Sequence, residues 1–437
     1  MNCDIKNLGV CKIPSPLIVK LSNAQTPFVS DSEKIMYNVL FDQTDKKNKN
    51  VQPSGFEKAG LRKKIYFDPS KVRSAIVTCG GLCPGLNDVI RAIVMESHYR
   101  YGARTIYGIR FGYNGLNPEK KYEPLELNPI LVRDIHKTGG TILGSSRGGA
   151  QDKEALVDSL ERLNINILYA IGGDGTLKGA HDIAQIAIKR RLKMSVIGIP
   201  KTIDNDISYI QRTFGFETAF SKAVDSIYSA HVEAEGAPNG IGLVKLMGRH
   251  SGYIAANAAL AQNDVNFVLI PEVKFDMQGE NGFLKHLERR LDARQHAVVC
   301  VAEGAGQEIL LKYKSKSAHD ASGNIKLADI GLYLKDEIGK YFKSIGKEVN
   351  LKYIDPSYII RSAPANPNDS IFCALLGQFA VHAGMAGKTD MIIGVWNNIF
   401  SHVPISLVTS RRTQIDPDSI FWYNVLEATG QPADMTN

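Results

Sequence analysis

Two carboxylates stand two residues apart in Pro200-Lys201-Thr202-Ile203-Asp204-Asn205-Asp206, directly after the apolar run MSVIGI. In an extended chain, residues two apart share a face, so Asp204 and Asp206 can point into one cleft with Thr202 beside them. Such a pair repels itself unless a metal, a cation or a shared proton compensates. It suits general-base work on a hydroxyl. A loop that merely caps a helix is a poorer account, because the next helical pattern starts well downstream.

Other polar groups also sit just after apolar runs. Gly172-Gly173-Asp174-Gly175-Thr176 follows INILYAI. Glycines around one carboxylate let a ligand approach the backbone, and Asp174 is placed to hold Mg²⁺ bound to phosphate oxygens. The alternative is a plain Asp-Gly turn, but the strand before it and the helix after it favour the ligand. SAIVTC runs into GGLCPGLNDVIRAIV, where Gly80 and Gly81 end a strand and a helix starts near Leu86. Bare N–H groups at a helix start suit phosphate, and without a GK[ST] ending this is not a Walker loop. In KLMGRHSG, Arg249 is flanked by glycines and suits a phosphate or sugar contact. Glu272 follows NFVLIP, and Glu303 with Gly304 follows HAVVCVA.

These groups need a scaffold, and the apolar runs supply it. Residues 74–79, 165–171, 194–199, 241–246, 266–270 and 296–302 are short, rich in β-branched residues, and end at Gly, Pro or polar clusters. They read as buried strands. Amphipathic segments at 86–100, 176–191, 216–234, 281–294 and 368–383 read as helices between them. Strands alternating with helices imply an α/β fold with parallel sheets covered on both faces. Ligands then bind at the carboxyl ends of strands, where the polar groups stand. Residues 1–70 lack this rhythm. They read as an N-terminal extension with a mobile loop around residues 43–55, packing on a neighbour rather than forming a core.

Composition narrows the function. The 437 residues are 44% hydrophobic and 22% charged, which is ordinary for a globular chain and excludes collagen-like and wholly disordered classes. A net charge of +7 is mild, and its basic clusters are short, so nucleic acid is not an expected partner, whereas anionic small substrates are. No apolar run is long enough to span a membrane, and the first 30 residues lack a signal-peptide pattern, so a cytoplasmic location is expected. Six cysteines without a CxxC pair fit a reducing compartment, with Cys300 in the core. The histidines show no metal-ligand spacing, so no zinc site is expected, and neither a Ser–His–Asp pattern nor a GxSxG elbow is present.

GGLCPGLN, GGDGT, PKTIDND, KLMGR and PE, in this order and spacing, resemble the 6-phosphofructokinase family over about residues 71–400. GGDGT alone is shared with other kinases; PKTIDND and MGR together are specific. The resemblance implies the phosphofructokinase fold, with two Rossmann-like α/β lobes of largely parallel sheets. An ATP-binding lobe would span 71–204, completed by about 364–400. A fructose 6-phosphate lobe would span 205–363, with a C-terminal extension at 401–437. It also implies ATP-dependent phosphorylation of fructose 6-phosphate at its 1-hydroxyl, with Mg²⁺, in a homotetramer.

Residue by residue, the resemblance places Gly81, Arg147, Gly173, Asp174, Gly175 and Thr176 at the nucleotide, with Asp174 as the magnesium ligand. Asp204 matches the general base, with Lys201, Thr202 and Asp206 around the sugar hydroxyl. Met247, Gly248, Arg249, Glu272, Lys352, Tyr358 and Arg361 match sugar-phosphate contacts. Short family members carry arginine at Gly240, histidine at Tyr358 and arginine at Lys352, partly serving a neighbouring subunit. Gly175 together with Lys201 is similar to the long-chain ATP-dependent branch, related to the pyrophosphate enzymes. Pyrophosphate as donor and a non-catalytic regulatory subunit are the rival readings.

Overall fold

A computed structural model describes residues 2–20, 27–39, 55–148, 152–311 and 327–437. The loop expected around 43–55 lies almost wholly outside the described residues. The chain divides into two compact units. The first comprises 1–202, 207–215 and 363–412, and the second comprises 203–206, 216–362 and 413–437.

The first unit is built on a nine-stranded sheet. Its centre is parallel: Met391–Trp396, Ser195–Pro200, Ile167–Gly172, Arg73–Thr78 and Thr105–Ile109 lie side by side. The three strands expected here from apolar runs all appear, within two residues of their expected bounds. Their β-branched, fully buried side chains are what a sheet covered on both faces demands. The helix Asp174–Lys189 covers one face through Leu177, Ala180, Ile183, Ala184 and Ala187, a spacing of three and four. The expected helix at 86–100 runs regularly only over Leu86–Met95, then widens into a π-type turn, Glu96–Tyr101, closed by Gly102 in the left-handed region.

The margins of this sheet are antiparallel, and the N-terminal extension makes one of them. Lys34–Met36 pairs with Gly55–Lys58, which pairs with Ile399–Pro404. Phe56 is fully buried, its ring edge-on to Tyr37 and Trp396. The extension thus closes on its own chain, where the end of the sheet offers unpaired backbone groups and apolar cover. Beneath it lies a buried ionic cluster. Glu57 accepts hydrogen bonds from His402, Lys388 and Arg62.

The second unit has a four-stranded parallel sheet, ordered Phe267–Leu269, His296–Ala302, Gly240–Leu246, Asn350–Ile354. The helix Phe216–Glu235 lays Phe216, Ala219, Ala223, Ile227, Ala230 and Ala234 against one face. Phe283–Arg294 and Ile330–Ser344 cover the other. Cys300 is fully buried in the sheet, as its apolar surroundings imply.

Candidate functional site

In the first unit, three neighbouring strands end together. Cys79 N donates to the Ile171 carbonyl and Lys201 N to the Gly172 carbonyl, which lines up the glycine turn, GGDGT and the start of PKTIDND. Gly80 carries φ of +89°, conformational space that favours glycine. Segment 144–147 docks on this turn. Gly80 N donates to the Ser146 carbonyl at 2.9 Å, and the Ser145 hydroxyl donates to the Gly80 carbonyl at 2.6 Å. This brings Arg147 over Gly81, where an added Cβ would lie 3.6 Å from its guanidinium. Lys201 is buried, and its Nζ donates to the Gly81 carbonyl at 2.8 Å. Arginine, lysine and bare backbone thus gather on one turn, a suitable surface for a polyphosphate.

Asp174 opens its helix next to Gly173, and its carboxylate faces Lys178 at 3.0 Å and Arg412 at 3.6 Å. Gly175, one residue on, has open space where a Cβ would stand. Thr176 is buried, packed against Gly172. One part-exposed carboxylate beside open space is the donor set Mg²⁺ uses when substrate phosphates complete its shell. The residues present therefore fit a magnesium–nucleotide complex.

Thr202 ends the first unit's part of PKTIDND, and Asp204 and Asp206 belong to the second. Asp204 is gripped by its own unit. Arg249 N approaches its Oδ2 at 3.4 Å, and the Ser251 hydroxyl donates to its carbonyl at 2.9 Å. Its pKa is pushed up to about 7, first by removal from water, then by the carboxylates of Asp206 and Glu303. The Arg249 backbone N–H and the Arg361 charge oppose that rise. A carboxylate poised near neutrality, with the Arg361 charge acting on it, suits general-base catalysis on an anionic sugar.

Met247 is fully buried and Gly248 has φ of +127°, so KLMGR turns sharply at its strand end. The Gly304 N–H closes that turn on the Gly248 carbonyl, which brings Glu303 into the cluster. Glu303 was visible in the sequence as a strand-end residue, but only the pairing of HAVVCVA beside GIGLVKL reveals its proximity to Asp204. Glu272 stands differently. Its Oε1 accepts the backbone N–H groups of Gly252 and Ile415, while buried Oε2 has no hydrogen-bond partner.

Two of the expected sugar-phosphate residues have surroundings of their own. Lys352 pairs in register with Gly242, in mid-strand, and faces Glu233 at 4.0 Å. Tyr358 is 84% exposed on the short helix Ser357–Arg361. At Gly240, a Cβ would come within 2.0 Å of the Ala234 carbonyl oxygen. The packing of helix on strand therefore excludes the arginine that short family members carry there.

The chain is similar to known proteins over most of its length. The model of the Phosphofructokinase family matches residues 73–384. An ATP-dependent 6-phosphofructokinase of Borreliella burgdorferi is 53% identical over 445 residues, covering 100% of this chain and 98% of the relative. One from Amycolatopsis methanolica is 46% identical over 437 residues, covering 98% and 95%. Among solved structures, a pyrophosphate-dependent phosphofructokinase from Marinobacter aquaeolei aligns with a TM-score of 0.67 at 19% identity, covering 82% of this chain and 91% of that one. At that identity the likeness is one of fold.

Proposed function

The chain belongs to the phosphofructokinase family, and from that premise we propose how its residues carry out the reaction. It transfers a phosphoryl group from ATP to the 1-hydroxyl of fructose 6-phosphate, giving fructose 1,6-bisphosphate and ADP. The residues' roles, the metal and the assembly form our reading.

Asp204 is the base. It takes the proton of the 1-hydroxyl, and its raised pKa is the observation that carries this assignment. Asp206 and Glu303 keep that proton affinity high. Arg249 and Arg361 hold the sugar phosphate by charge-assisted hydrogen bonds, and Met247 with Gly248 shapes the turn that presents Arg249. In the first unit, Gly81, Gly173 and Gly175 admit the triphosphate to the backbone. Arg147 and Lys201 offset its charge as the γ-phosphoryl leaves. Asp174 would hold Mg²⁺, which supplies charge neutralisation on the phosphates.

We place the enzyme in the cytoplasm as a homo-oligomer, with a tetramer the expected form. Among the described residues no helix is long and apolar enough to cross a membrane. Exposed Tyr358 and Ile359, with Tyr228 and Val232 on Phe216–Glu235, supply apolar surface for subunit contact. An exposed Tyr358 and Lys352 fit service to a neighbouring subunit's sugar. The deciding experiment couples fructose 1,6-bisphosphate formation to a readout, first with ATP and then with pyrophosphate. Turnover with ATP that exceeds turnover with pyrophosphate supports the reading; the reverse order refutes the donor.

A further inference from the structure

At the amino ends of the second unit's strands, remote from Asp204, a different set of side chains converges. His231 and Glu235 stand one turn apart near the end of Phe216–Glu235, with His231 Nε2 3.5 Å from Glu235 Oε2. His296, the first residue of its strand, brings its ring edge to face that of His231, the centroids 5.6 Å apart. Ligand atoms of these three residues all lie within 4.8 Å of one another. Asp264, just after the helix Tyr253–Gln262, points Oδ1 at His231 Nε2 from 4.0 Å.

We propose that His231, Glu235 and His296, with Asp264 as fourth ligand, form a binding site for a zinc-class divalent cation.

The chemistry of the donors selects the ion. Two imidazoles and carboxylates suit Zn²⁺, whereas Mg²⁺ prefers an all-oxygen shell. Ligands about 2.0–2.1 Å from a tetrahedral ion stand roughly 3.3–3.5 Å apart, by the geometry of the tetrahedron. The His231–Glu235 pair is already at that separation, and small rotations of part-exposed side chains bring in the others. Two ligands are also braced from behind. His296 Nδ1 lies 3.1 Å from the Arg294 carbonyl, a partner that fixes the proton on Nδ1 and leaves Nε2 for a metal. Asp264 Oδ2 accepts from Gln262 at 2.7 Å, which leaves Oδ1 for the site. His231 turns Nε2, and not its buried Nδ1, toward Glu235 and Asp264, so Nε2 is its ligand atom.

The site is not part of the sugar-binding cluster. His296 pairs with Gly240 where both strands begin, and Ala302 pairs with Leu246 where both end. Seven residues at about 3.3 Å each put roughly 20 Å between this cluster and Glu303. A bound ion would clamp the end of Phe216–Glu235 to the start of His296–Ala302. Its effect is on stability and on the strand entering from Gly240, and the transferring phosphoryl is not involved.

The test uses the full chain, stripped with a chelator and dialysed against Zn²⁺ with Mg²⁺ in large excess to occupy oxygen sites. Metal per chain is then counted by atomic absorption. One zinc per chain is expected, with a rise in Tm of a few degrees. Binding should weaken at least about tenfold in His231→Ala and in His296→Gln, a floor set by the cost of losing even an outer partner. Co²⁺ in place of Zn²⁺ should give the intense visible absorption of a tetrahedral site in the wild type and lose it in the variants. Should His231→Ala fail to fold, Glu235→Gln and His296→Gln, both at part-exposed positions, carry the same comparison. No zinc retained above the magnesium-competed background, or equal zinc in wild type and every folded variant, overturns the proposal.

Discussion

The ammonium of Lys201 is held against the carbonyl of Gly81, 2.8 Å away. In this arrangement the lysine ties the glycine turn after Arg73–Thr78 to the end of Ser195–Pro200, and its charge lies among the groups assigned to ATP. A hydrogen bond to a charged group contributes about 1.5–3 kcal/mol. Lys201→Met should therefore lower kcat/KM for ATP by roughly tenfold to a hundredfold. Steady-state kinetics at saturating fructose 6-phosphate would measure it. An unchanged kcat/KM would mean the contact plays no part in the reaction.

Asp204→Asn keeps the size of the side chain and removes the basic oxygen. kcat should fall by roughly 10²-fold or more. The same variant has a stability signature. The folded-state pKa near 7 lies above the unfolded value, so the folded protein holds this proton more tightly. Stability from this group is complete below about pH 4 and is lost as pH rises towards 7. Asn mimics the protonated form, so the variant's Tm should match wild type near pH 4 and exceed it increasingly up to pH 7. Thermal melts across that range check the sign. A gap that narrows with rising pH would contradict the raised pKa.

Strand ends were readable because buried parallel strands leave continuous β-branched runs, and SAIVTC, INILYAI and MSVIGI are of that kind. Asp174, Asp204 and Arg249 were readable for the same reason, since each follows such a run. What depends on long-range pairing was not. The pairing of Glu57 with His402 joins segments far apart in the chain, and no local pattern encodes it. Glu303 and Glu272 looked alike as strand-end acids. Only the tertiary fold separates one beside Asp204 from one bonded to the backbone of Gly252 and Ile415. The His231–Glu235–His296 cluster escaped because its histidines come from two elements that meet only in the folded sheet.

Arg249→Ala tests the sugar phosphate. The guanidinium is assigned to one substrate, so the KM for fructose 6-phosphate should rise at least tenfold while that for ATP stays within about threefold, the scale of one charge-assisted hydrogen bond. Equal increases for both substrates would point to a structural role for the residue.

Phe56→Ala tests the extension. Its ring fills a fully buried position between Tyr37 and Trp396. Truncating a buried phenylalanine costs about 3–5 kcal/mol. Denaturant unfolding should show a loss of that size, with activity retained in the fraction that folds. A loss under about 1 kcal/mol would mean the extension is a loosely held appendage.

Gly175→Asp tests the donor. Among the described residues, nothing beyond its chain neighbours and its own helix backbone lies within 4 Å of where its Cβ would stand, and the residue is helical, so Gly175→Asp should fold without strain. Any loss in that variant then reports on the ligand. A carboxylate there would occupy the space assigned to the nucleotide phosphates, and would repel them. Two unit charges about 4 Å apart cost on the order of 1 kcal/mol in water and about 4 kcal/mol at an effective dielectric of 20. ATP turnover should fall by about fivefold to a thousandfold, the range those energies span. Lys201, the feature shared with pyrophosphate enzymes, does not reverse this, because an ammonium held at Gly81 can offset the charge of either donor, whereas a carboxylate at position 175 opposes the nucleotide. Wild type should accordingly use ATP and barely use pyrophosphate. Turnover with pyrophosphate equal to that with ATP, or a Gly175→Asp enzyme that keeps full ATP activity, would show that the open space at Gly175 does not select the donor.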